Sequence, residues 1–354
     1  MEEAQRAMHV RLRQAVEDVT ERYRAAGYFP SACVRVFDAK ETLAAVCVGE
    51  ARENTLFDVA SLTKIATATQ ILRLIREKKL ALTDCIADRL TDLREDPVLR
   101  QTLAGITIAQ LLTHTSTLPA WYPFYTREGE PFAAVLREAL EHTERTAGVV
   151  YSDLNFMLLG KLLEEIQAKP LDRCLREDLA EPLGLGRMTY RPEEKEDILP
   201  SSYGNPIEER MCLERGLTYS GFRPKDQPVR GEVNDGNCHY YFNGVSGHAG
   251  IFAEAEAYQR LCQYYMNTED PLLLEAQREQ PGAPGRGLGF QTGISYPYGC
   301  GHTGFTGTGI WFSRSRGIGA VSMTNRLFYR QENPNATWEF RRVLHEITLA
   351  MASP

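Results

Sequence analysis

The sequence predicts an α/β (α+β) fold in which an antiparallel sheet is flanked by terminal helices and interrupted by an inserted all-helical domain. Three observations support this fold class. Strand-like runs lie near both ends of the 354-residue chain, amphipathic helical patterns begin and end it, and the middle consists of helical pieces between loops that contain proline and glycine. We therefore expect residues 1–94 and 251–354 to form a sheet domain and residues 95–250 to form a helical insert.

The first elements follow from hydrophobic spacing. Residues 3–26 carry apolar side chains at helical intervals, and Gly27 follows as a C-terminal stop. Residues 32–37 and 43–49 are rich in β-forming side chains and are separated by a polar turn, which predicts a hairpin. The apolar run 65–75 predicts the next helix.

The insert and the tail differ in the helices and strands that their sequence patterns predict. Within the insert, apolar spacing predicts short helices at 106–114, 132–143 and 154–167. Residues 187–236 are polar and rich in proline and glycine, which predicts a long surface excursion. The tail then reads as a helix at 253–266, strand-like runs at 299–313 and 317–325, and a closing helix at 338–351.

Composition and charge exclude several classes of protein. With 43% hydrophobic residues, the chain can bury a large core in one or two domains. The net charge is −7 and no basic run occurs, so we expect no nucleic-acid partner. No apolar run is long enough to span a bilayer, and the first residues lack the apolar core of a secretory signal, so we expect a cytoplasmic location. The oligomeric state is left open.

The eight cysteines are spread singly, and no Cys-x-x-Cys pair occurs. A chain of this length does not depend on a disulfide scaffold. Most of the cysteines lie in apolar surroundings, which favours buried free thiols over structural disulfides.

One tetrad lies at the start of the helix predicted for 65–75. Ser61-Leu62-Thr63-Lys64 places a hydroxyl and an amine three residues apart, and residues at this spacing share a helix face. A serine hydroxyl needs a neighbouring base to become a nucleophile. A lysine whose pKa is lowered by burial or by a second cation can be that base. Because such a tetrad occurs by chance in many chains, its catalytic interpretation depends on further partners.

Tyr151 and Asp153 lie at the start of the helix predicted for 154–167. A phenol at this place can reach a neighbouring serine, and a nearby lysine favours the phenolate that takes the serine proton. In the alternative interpretation, Tyr151 only packs and Ser152 or Asp153 caps the helix.

The stretch Gly301-His302-Thr303-Gly304-Phe305 lies on a predicted strand. Glycines inside a strand cost stability and often mark a close approach of the backbone to a ligand. An edge strand of this kind can bind an extended substrate and donate N–H groups to an oxyanion, while His302 can hold a carboxylate or tune the phenol. The alternative is a glycine-rich turn with an exposed His302.

Residues 231–250 are rich in glycine and asparagine, which suit loops that approach a ligand closely. Among them are four side chains of the types that bind metals, namely Asp235, Cys238, His239 and His248. Their spacing matches no metal-binding pattern, so we expect no metal and no cofactor.

Together, Ser61-x-x-Lys64, Tyr151-x-Asp153 and His302-Thr303-Gly304 occur in the order found in the penicillin-recognising serine hydrolases. From about residue 30 to 330, the chain resembles the superfamily of class C β-lactamases and low-molecular-weight penicillin-binding proteins, which also contains esterases and D-amino-acid peptidases. Residues 111–116, 158–160 and 182–185 also resemble sequence patterns of this superfamily. The resemblance implies a sheet domain with an inserted helical domain and a site in the cleft between them.

The resemblance also implies roles for individual residues. Ser61 would be the acylated nucleophile, Lys64 would assist its deprotonation, and Tyr151 would be the general base and later the acid. The N–H groups of Ser61 and Phe305 would form the oxyanion hole. The residues that would contact the substrate in the cleft are Asp153, His302, Thr303 and Gly304. Residues 232–237 and 244–250 resemble a subset related to N-acetylmuramoyl-L-alanine amidases, which places Asp235 and His248 near the cleft.

Two positions depart from the pattern of the superfamily. His302 stands where β-lactamases usually have lysine, which is similar to certain D-peptidases and argues against efficient β-lactamase activity. Asp153 stands where many relatives have asparagine, and its negative charge can repel an acidic substrate or weaken Tyr151 as a base.

These features favour a serine hydrolase that forms an acyl-enzyme on an amide or an ester. Cell-wall peptides or muropeptide-like fragments are the favoured substrates, and a small molecule or peptide is the expected partner. Two alternatives stay open: a promiscuous carboxylesterase, and a penicillin-binding module with little turnover. The sequence does not identify the substrate.

Overall fold

The computed structural model describes residues 2–329 and 337–352. Met1, residues 330–336 and residues 353–354, which belong to the predicted sheet domain, lie outside the described residues. The α-helices are α1 Glu2–Ala25, α2 Thr63–Arg76, α3 Ile86–Arg89, α4 Thr91–Arg94, α5 Pro97–Thr102, α6 Ile108–Leu112, α7 Phe132–Glu141, α8 Asp153–Gln167, α9 Leu171–Cys174, α10 Glu181–Leu183, α11 Pro206–Leu213, α12 Ala255–Met266, α13 Pro271–Ala276 and α14 Trp338–Ala352. The strands are β1 Ala32–Asp38, β2 Thr42–Val48, β3 Phe57–Asp58, β4 Met188–Tyr190, β5 Ser202–Tyr203, β6 Pro228–Val229, β7 Ile251–Ala253, β8 Cys300–Thr303, β9 Gly309–Ser313 and β10 Ile318–Thr324.

Both ends of the chain build one antiparallel sheet, as the sequence predicts. Its strand order is β2-β1-β10-β9-β8, so β1 pairs with a strand almost 300 residues away, and Val36 lies opposite both Ala44 and Ala320. Helices α1 and α14 cover one face, where they bury a core that includes Leu12, Val16, Val34, Trp311, Phe340 and Leu344. Helix α12 packs on the other face. The helices predicted at both termini are confirmed.

The segment between the two parts of the sheet is mainly helical, and side chains cap the starts of α5 and α6. Asp96 accepts hydrogen bonds from the N–H groups of Val98 and Leu99 at the start of α5, and Thr107 forms a capping box with Gln110 at the start of α6. The division at residues 95 and 250 stays a prediction.

The expectation of an all-helical insert is wrong in detail. Strand β4 pairs with β7 in a small sheet of order β3-β7-β4, and β5 pairs with β6. These strands have only two or three residues each, so they offer too few positions for a hydrophobic period to be read.

The predicted excursion at 187–236 contains ordered elements. It contains β4, β5, α11 and β6, and its Cys212 packs against Trp121 and Tyr125 in a small aromatic core. Its Glu208 side chain accepts a hydrogen bond from the N–H of Gly236 at 2.7 Å. The polar composition of this segment concealed the few apolar side chains that hold it.

The strand-like run 299–313 is two strands rather than one. Residues 304–308 form the turn that joins β8 to β9, and the glycines that indicated a close approach within a strand lie partly in this turn. β8 is an edge strand of the sheet, although Gly301 exchanges two backbone hydrogen bonds with Gln291. The alternative interpretation of a glycine-rich turn beside a strand is therefore partly correct.

The expectation of free thiols is wrong for one pair. Cys33 and Cys47 form a disulfide between β1 and β2, where the hairpin register places them directly opposite each other. Apolar surroundings alone did not reveal this pairing, because it depends on the register. Within residues 2–329 and 337–352, no helix is long and apolar enough to cross a membrane.

Candidate active site

Ser61 lies at the point where a short 3-10 turn, Ala60–Leu62, runs into α2. Ala60, immediately before Ser61, adopts a left-handed conformation with φ +47°. The ammonium of Lys64, one turn further on, donates a hydrogen bond to Ser61 Oγ at 2.8 Å. The side chains of the tetrad are thus neighbours, as their spacing predicts.

Lys64 is fully buried and has two further partners. Its Nζ lies 2.8 Å from Asp153 Oδ1 and donates to the backbone carbonyl of His248 at 3.1 Å. Burial lowers the pKa of Lys64, but the Asp153 carboxylate and the Tyr151 phenol outweigh this effect, so the pKa lies above its ordinary value. The expected lysine with a lowered pKa is therefore wrong, because Asp153 supplies a counter-charge that the spacing did not reveal.

Tyr151 and Asp153 reach this lysine from the amino end of α8. Tyr151 lies two residues before the helix, and Asp153 is its first residue. Lys64 Nζ lies 4.9 Å from the centre of the Tyr151 ring. Ser152 does not use its hydroxyl as a cap and donates it instead to the carbonyl of Pro119. The alternative in which Tyr151 is only a packing residue beside a capping Ser152 is not supported by these contacts.

His302 is buried at the end of β8, with its ring centre 5.9 Å from that of Tyr151. Because the carbonyl of Thr303 can only accept, His302 Nδ1 carries the proton and donates it at 2.8 Å. Burial lowers the pKa of His302 to about 3, and the nearby Lys64 ammonium acts in the same direction. An exposed or cationic His302 is therefore excluded, and the neutral ring offers an Nε2 lone pair.

Hydrogen bonds connect the turn after His302 to the segment that precedes Ser61. Thr306 and Thr308 donate their hydroxyls to the carbonyls of Asp58 and Val59. At Gly304 a Cβ atom would lie 2.4 Å from the Val59 carbonyl oxygen, so only glycine permits this approach.

Thr303 and Phe305 lie on either side of that glycine. Thr303 is half-buried, and the Phe305 side chain is 46% exposed. The contacts at Gly304 bring the turn beside Ser61, and the assignment of the Ser61 and Phe305 N–H groups to an oxyanion hole stays a prediction.

Asp235 and His248 form a hydrogen-bonded pair close to Lys64. His248 Nε2 lies 2.9 Å from Asp235 Oδ1, while its Nδ1 lies 2.7 Å from Ser246 Oγ. Ligand atoms of Asp153, Asp235 and His248 all lie within 4.8 Å of one another. Lys64 forms an ion pair with the Asp153 carboxylate and His248 forms a hydrogen bond with the Asp235 carboxylate, so both carboxylates have partners within the protein.

Arg286 is a site residue that sequence reasoning missed. Its guanidinium carbon lies 5.3 Å from the centre of the Tyr151 ring, and its buried Nη1 has no hydrogen-bond partner among the described residues. Its flanking residues, Gly285 and Gly287, let the chain pass closely, since a Cβ at Gly287 would lie 2.2 Å from the carbonyl of Ala276. An arginine between two glycines was the available indication.

Comparison with known proteins identifies the family and the fold of the chain. The Beta-lactamase family model matches residues 16–342 of the chain. The N-acetylmuramyl-L-alanine amidase of Bacillus subtilis strain 168 is 28% identical over 319 residues, which are 80% of this chain and 72% of that protein.

Two solved structures show the same fold. The D-amino acid amidase from Ochrobactrum anthropi SV3 superposes with a TM-score of 0.73 at 16% identity, over 95% of this chain and 98% of that one. The Beta-lactamase/D-alanine Carboxypeptidase from Yersinia pestis superposes with a TM-score of 0.65 at 18% identity, over 96% and 98%. Since the family model spans most of its length, the chain belongs to the beta-lactamase family of serine hydrolases.

Proposed function

We propose that this enzyme hydrolyses an amide bond in a cell-wall peptide or muropeptide-like fragment through an acyl-enzyme on Ser61. The observation that carries the proposal is the hydrogen bond from the Lys64 ammonium to Ser61 Oγ, with Asp153, Tyr151 and His302 around it. The amidase from Bacillus subtilis, a relative over most of the chain, supports this substrate class.

The proton of Ser61 needs an acceptor other than Lys64. A protonated lysine donates to Ser61 Oγ and has no lone pair, so it orients the oxygen without taking its proton. Tyr151 is the acceptor in this proposal. As Ser61 Oγ bonds to the substrate carbonyl carbon, its proton moves to Tyr151, which acts in its phenolate form. When the amide C–N bond breaks, the Tyr151 phenol gives this proton to the leaving amine. In the second half, water attacks the ester and gives one proton to Tyr151, which passes it to Ser61 Oγ as the ester C–O bond breaks.

Arg286 supports a substrate that carries an acceptor group near the scissile bond. Its Nη1, buried and without a hydrogen-bond partner in the described part of the chain, belongs to a charged group beside Tyr151, and leaving such a donor without a partner is costly. A substrate carboxylate satisfies this donor and pairs with the positive charge of Arg286, while Lys64 already balances the negative charge of Asp153. Fragments of peptides with free carboxylates meet this requirement.

The proposal is tested by locating the covalent adduct and ranking substrates. We expect a fluorophosphonate and a fluorescent penicillin to label Ser61, and Ser61→Ala to abolish labelling without loss of fold. Ser315→Ala, a change in the turn between β9 and β10, is the control and keeps full labelling. Folded protein that forms no adduct on Ser61 under any condition would overturn the proposal.

Turnover distinguishes the remaining alternatives. A muramoyl-L-alanyl peptide, a peptide ending in D-alanyl-D-alanine and a short p-nitrophenyl ester should be compared by kcat/KM. Preference for either amide supports the proposal, whereas preference for the ester supports a carboxylesterase. A burst of product followed by no deacylation on any substrate identifies a penicillin-binding module.

A further inference from the structure

His114 lies directly behind the Tyr151 segment and has no role in the steps above. It follows α6 by two residues, is 2% exposed, and adopts a left-handed conformation with φ +58°. Histidine tolerates this region better than bulky or β-branched residues do, but a non-glycine residue there still needs support from its surroundings. The surroundings in this case are the residues that flank Tyr151.

His114 accepts hydrogen bonds from the residues on both sides of Tyr151 in the chain. Its carbonyl accepts from the N–H of Val150 at 2.9 Å, and its Nδ1 accepts from the N–H of Ser152 at 3.0 Å. The two rings also pack directly, with their centres 4.5 Å apart and their planes tilted by 40°. One residue therefore contacts the residue before the tyrosine, the tyrosine itself and the residue after it.

The protonation state of His114 follows from its partners. The N–H of Ser152 can only donate, so Nδ1 must be the bare acceptor nitrogen and Nε2 carries the proton. The Asn155 amide, which lies 3.1 Å from the same Nδ1, is itself anchored because its Oδ1 accepts from the hydroxyl of Ser116. Burial lowers the pKa of His114 well below its ordinary value, and the nearby charge of Arg286 adds to this effect. Nδ1 is thus free to accept a hydrogen bond throughout the pH range of ordinary activity assays.

We propose that His114 is a positioning residue that holds the Tyr151 side chain where it can take the proton of Ser61. The proposal rests on the proposed function, in which Tyr151 moves the proton. A displacement of a reacting group by about 1 Å can cost roughly 100-fold in rate, so a residue that sets the backbone on both sides of Tyr151 affects kcat strongly. Substrate binding depends on other groups, so KM changes little.

Two variants of His114 distinguish the effect of its hydrogen-bond acceptor from the effect of its side-chain volume. In His114→Asn, the Oδ1 atom takes the place of Nδ1 and asparagine tolerates the left-handed conformation. In His114→Gln, the acceptor lies one bond further out and misses the N–H of Ser152. We expect kcat to fall about 100-fold in the glutamine variant with KM within about 3-fold, and to recover to within about 5-fold of the wild type in the asparagine variant.

A double-mutant cycle with Tyr151→Phe then tests whether His114 acts through the tyrosine. The readout is the single-turnover rate of acylation by an activated ester, which stays measurable in slow variants. We expect His114→Gln to slow the wild type about 100-fold and to leave the Tyr151→Phe variant unchanged within about 2-fold. Equal losses in both backgrounds, or a glutamine variant that retains wild-type kcat, would overturn the proposal.

The controls keep this result apart from the proposed function. Full activity of Tyr151→Phe itself would refute the tyrosine as proton carrier, and therefore the proposed mechanism, whatever His114 does. His142→Gln, a change at an exposed histidine after α7, should alter neither rate. Urea unfolding of each variant confirms that the rates belong to folded protein, and the asparagine variant decides the question if the glutamine variant does not fold.

Discussion

At the scale of single residues, Lys64 has used all of its hydrogen-bonding capacity. An ammonium has three donors, and Ser61 Oγ, Asp153 Oδ1 and the His248 carbonyl each accept one. A neutral Lys64 would leave the Asp153 charge beside it without its counter-ion, which is why the pKa of Lys64 is raised despite complete burial. The lysine therefore orients and polarises Ser61 rather than accepting its proton.

Removing the carboxylate of Asp153 should destabilise the protein, because it leaves a buried ammonium unpaired. We expect Asp153→Ala to lower the free energy of unfolding by about 3 kcal/mol at pH 7, measured by urea denaturation. Asp153→Asn keeps an oxygen within reach of Lys64 Nζ, so its free energy of unfolding should fall by only about 1 kcal/mol. Equal stability of the alanine variant and the wild type would show that Lys64 does not depend on this pair.

Only part of the site could be predicted from the sequence, and the limit is physical. Ser61, Lys64, Tyr151 and His302 lie in short motifs whose spacing or order carries their chemistry, and the structure brings all four together. The charge of Lys64 depends on a partner 89 residues away, so spacing within a motif cannot reveal it. Arg286 reaches Tyr151 from a loop without any periodic pattern.

At the scale of elements, α2 and α8 meet the segment 246–251 at a glycine. Gly247 accepts a hydrogen bond from the Thr67 hydroxyl through its carbonyl, and a Cβ atom on it would lie 2.2 Å from the carbonyl oxygen of Phe156. Its neighbour His248 supplies the carbonyl that binds Lys64. Close packing at this glycine therefore sets the position of the lysine.

Gly247→Ala should separate the two helices and displace the His248 carbonyl. We expect a loss of about 2–3 kcal/mol in the free energy of unfolding, typical of overpacking, together with a fall in kcat of more than about 10-fold. Gly317→Ala is the matched control, because Gly317 has φ +65° but an added Cβ meets no atom within 4 Å. It should lose about 1 kcal/mol from backbone strain alone and keep its kcat. A fully active Gly247→Ala variant would contradict this account.

The β1–β2 hairpin gains stability from its disulfide. Cys33 and Cys47 are 14 residues apart in sequence, and closing a loop of about this length restricts the unfolded chain by roughly 3 kcal/mol. The double variant Cys33→Ala/Cys47→Ala should lose about that amount in urea unfolding, and a reducing agent should lower the wild type to the same level. Cys85→Ala, at a free and half-buried thiol, serves as the control. A double variant as stable as the oxidised wild type would show that the bond is not needed.

Elements with many residues were predicted well, and short ones were not. Helix α8 shows its 3.6-residue period over 15 residues and was predicted to within one residue at its start. The pairs β5–β6 and β3–β7 have two residue pairs each, and their existence depends on contacts between distant segments. The same reason explains why the run 299–313 was not resolved into two strands.

At the scale of the whole molecule, burial decides how stability depends on pH. Burial lowers the pKa of His302 and His345 to about 3 and that of His239 to about 4, and it lowers the pKa of His114 well below 6.5. In the unfolded chain each of these histidines has a pKa near 6.5, so unfolding takes up protons below that pH. Their contribution to stability is complete above about pH 6.5 and is lost as the pH falls.

Two buried carboxyls act in the opposite direction. Burial raises the pKa of Asp58 to about 6 and that of Glu208 to about 8, so the folded protein already holds their protons near pH 5. Four histidines that gain protons on unfolding against two acids that lose them leave a net uptake of roughly two protons at pH 5. The free energy of unfolding should therefore fall by about 3 kcal/mol for each pH unit of acidification around pH 5.

A single histidine isolates one proton of this dependence. His345 stacks on Trp311 with ring centres 4.6 Å apart, so His345→Phe keeps an aromatic contact and removes the titrating group. Urea unfolding between pH 4.5 and 6 should show a slope smaller by about 1.4 kcal/mol per pH unit than in the wild type. His142→Phe, the same substitution at an exposed position, serves as the control. If the slopes of His345→Phe and the wild type coincide, His345 takes up no proton on unfolding, and the buried histidines then outweigh the buried carboxyls by less than two protons.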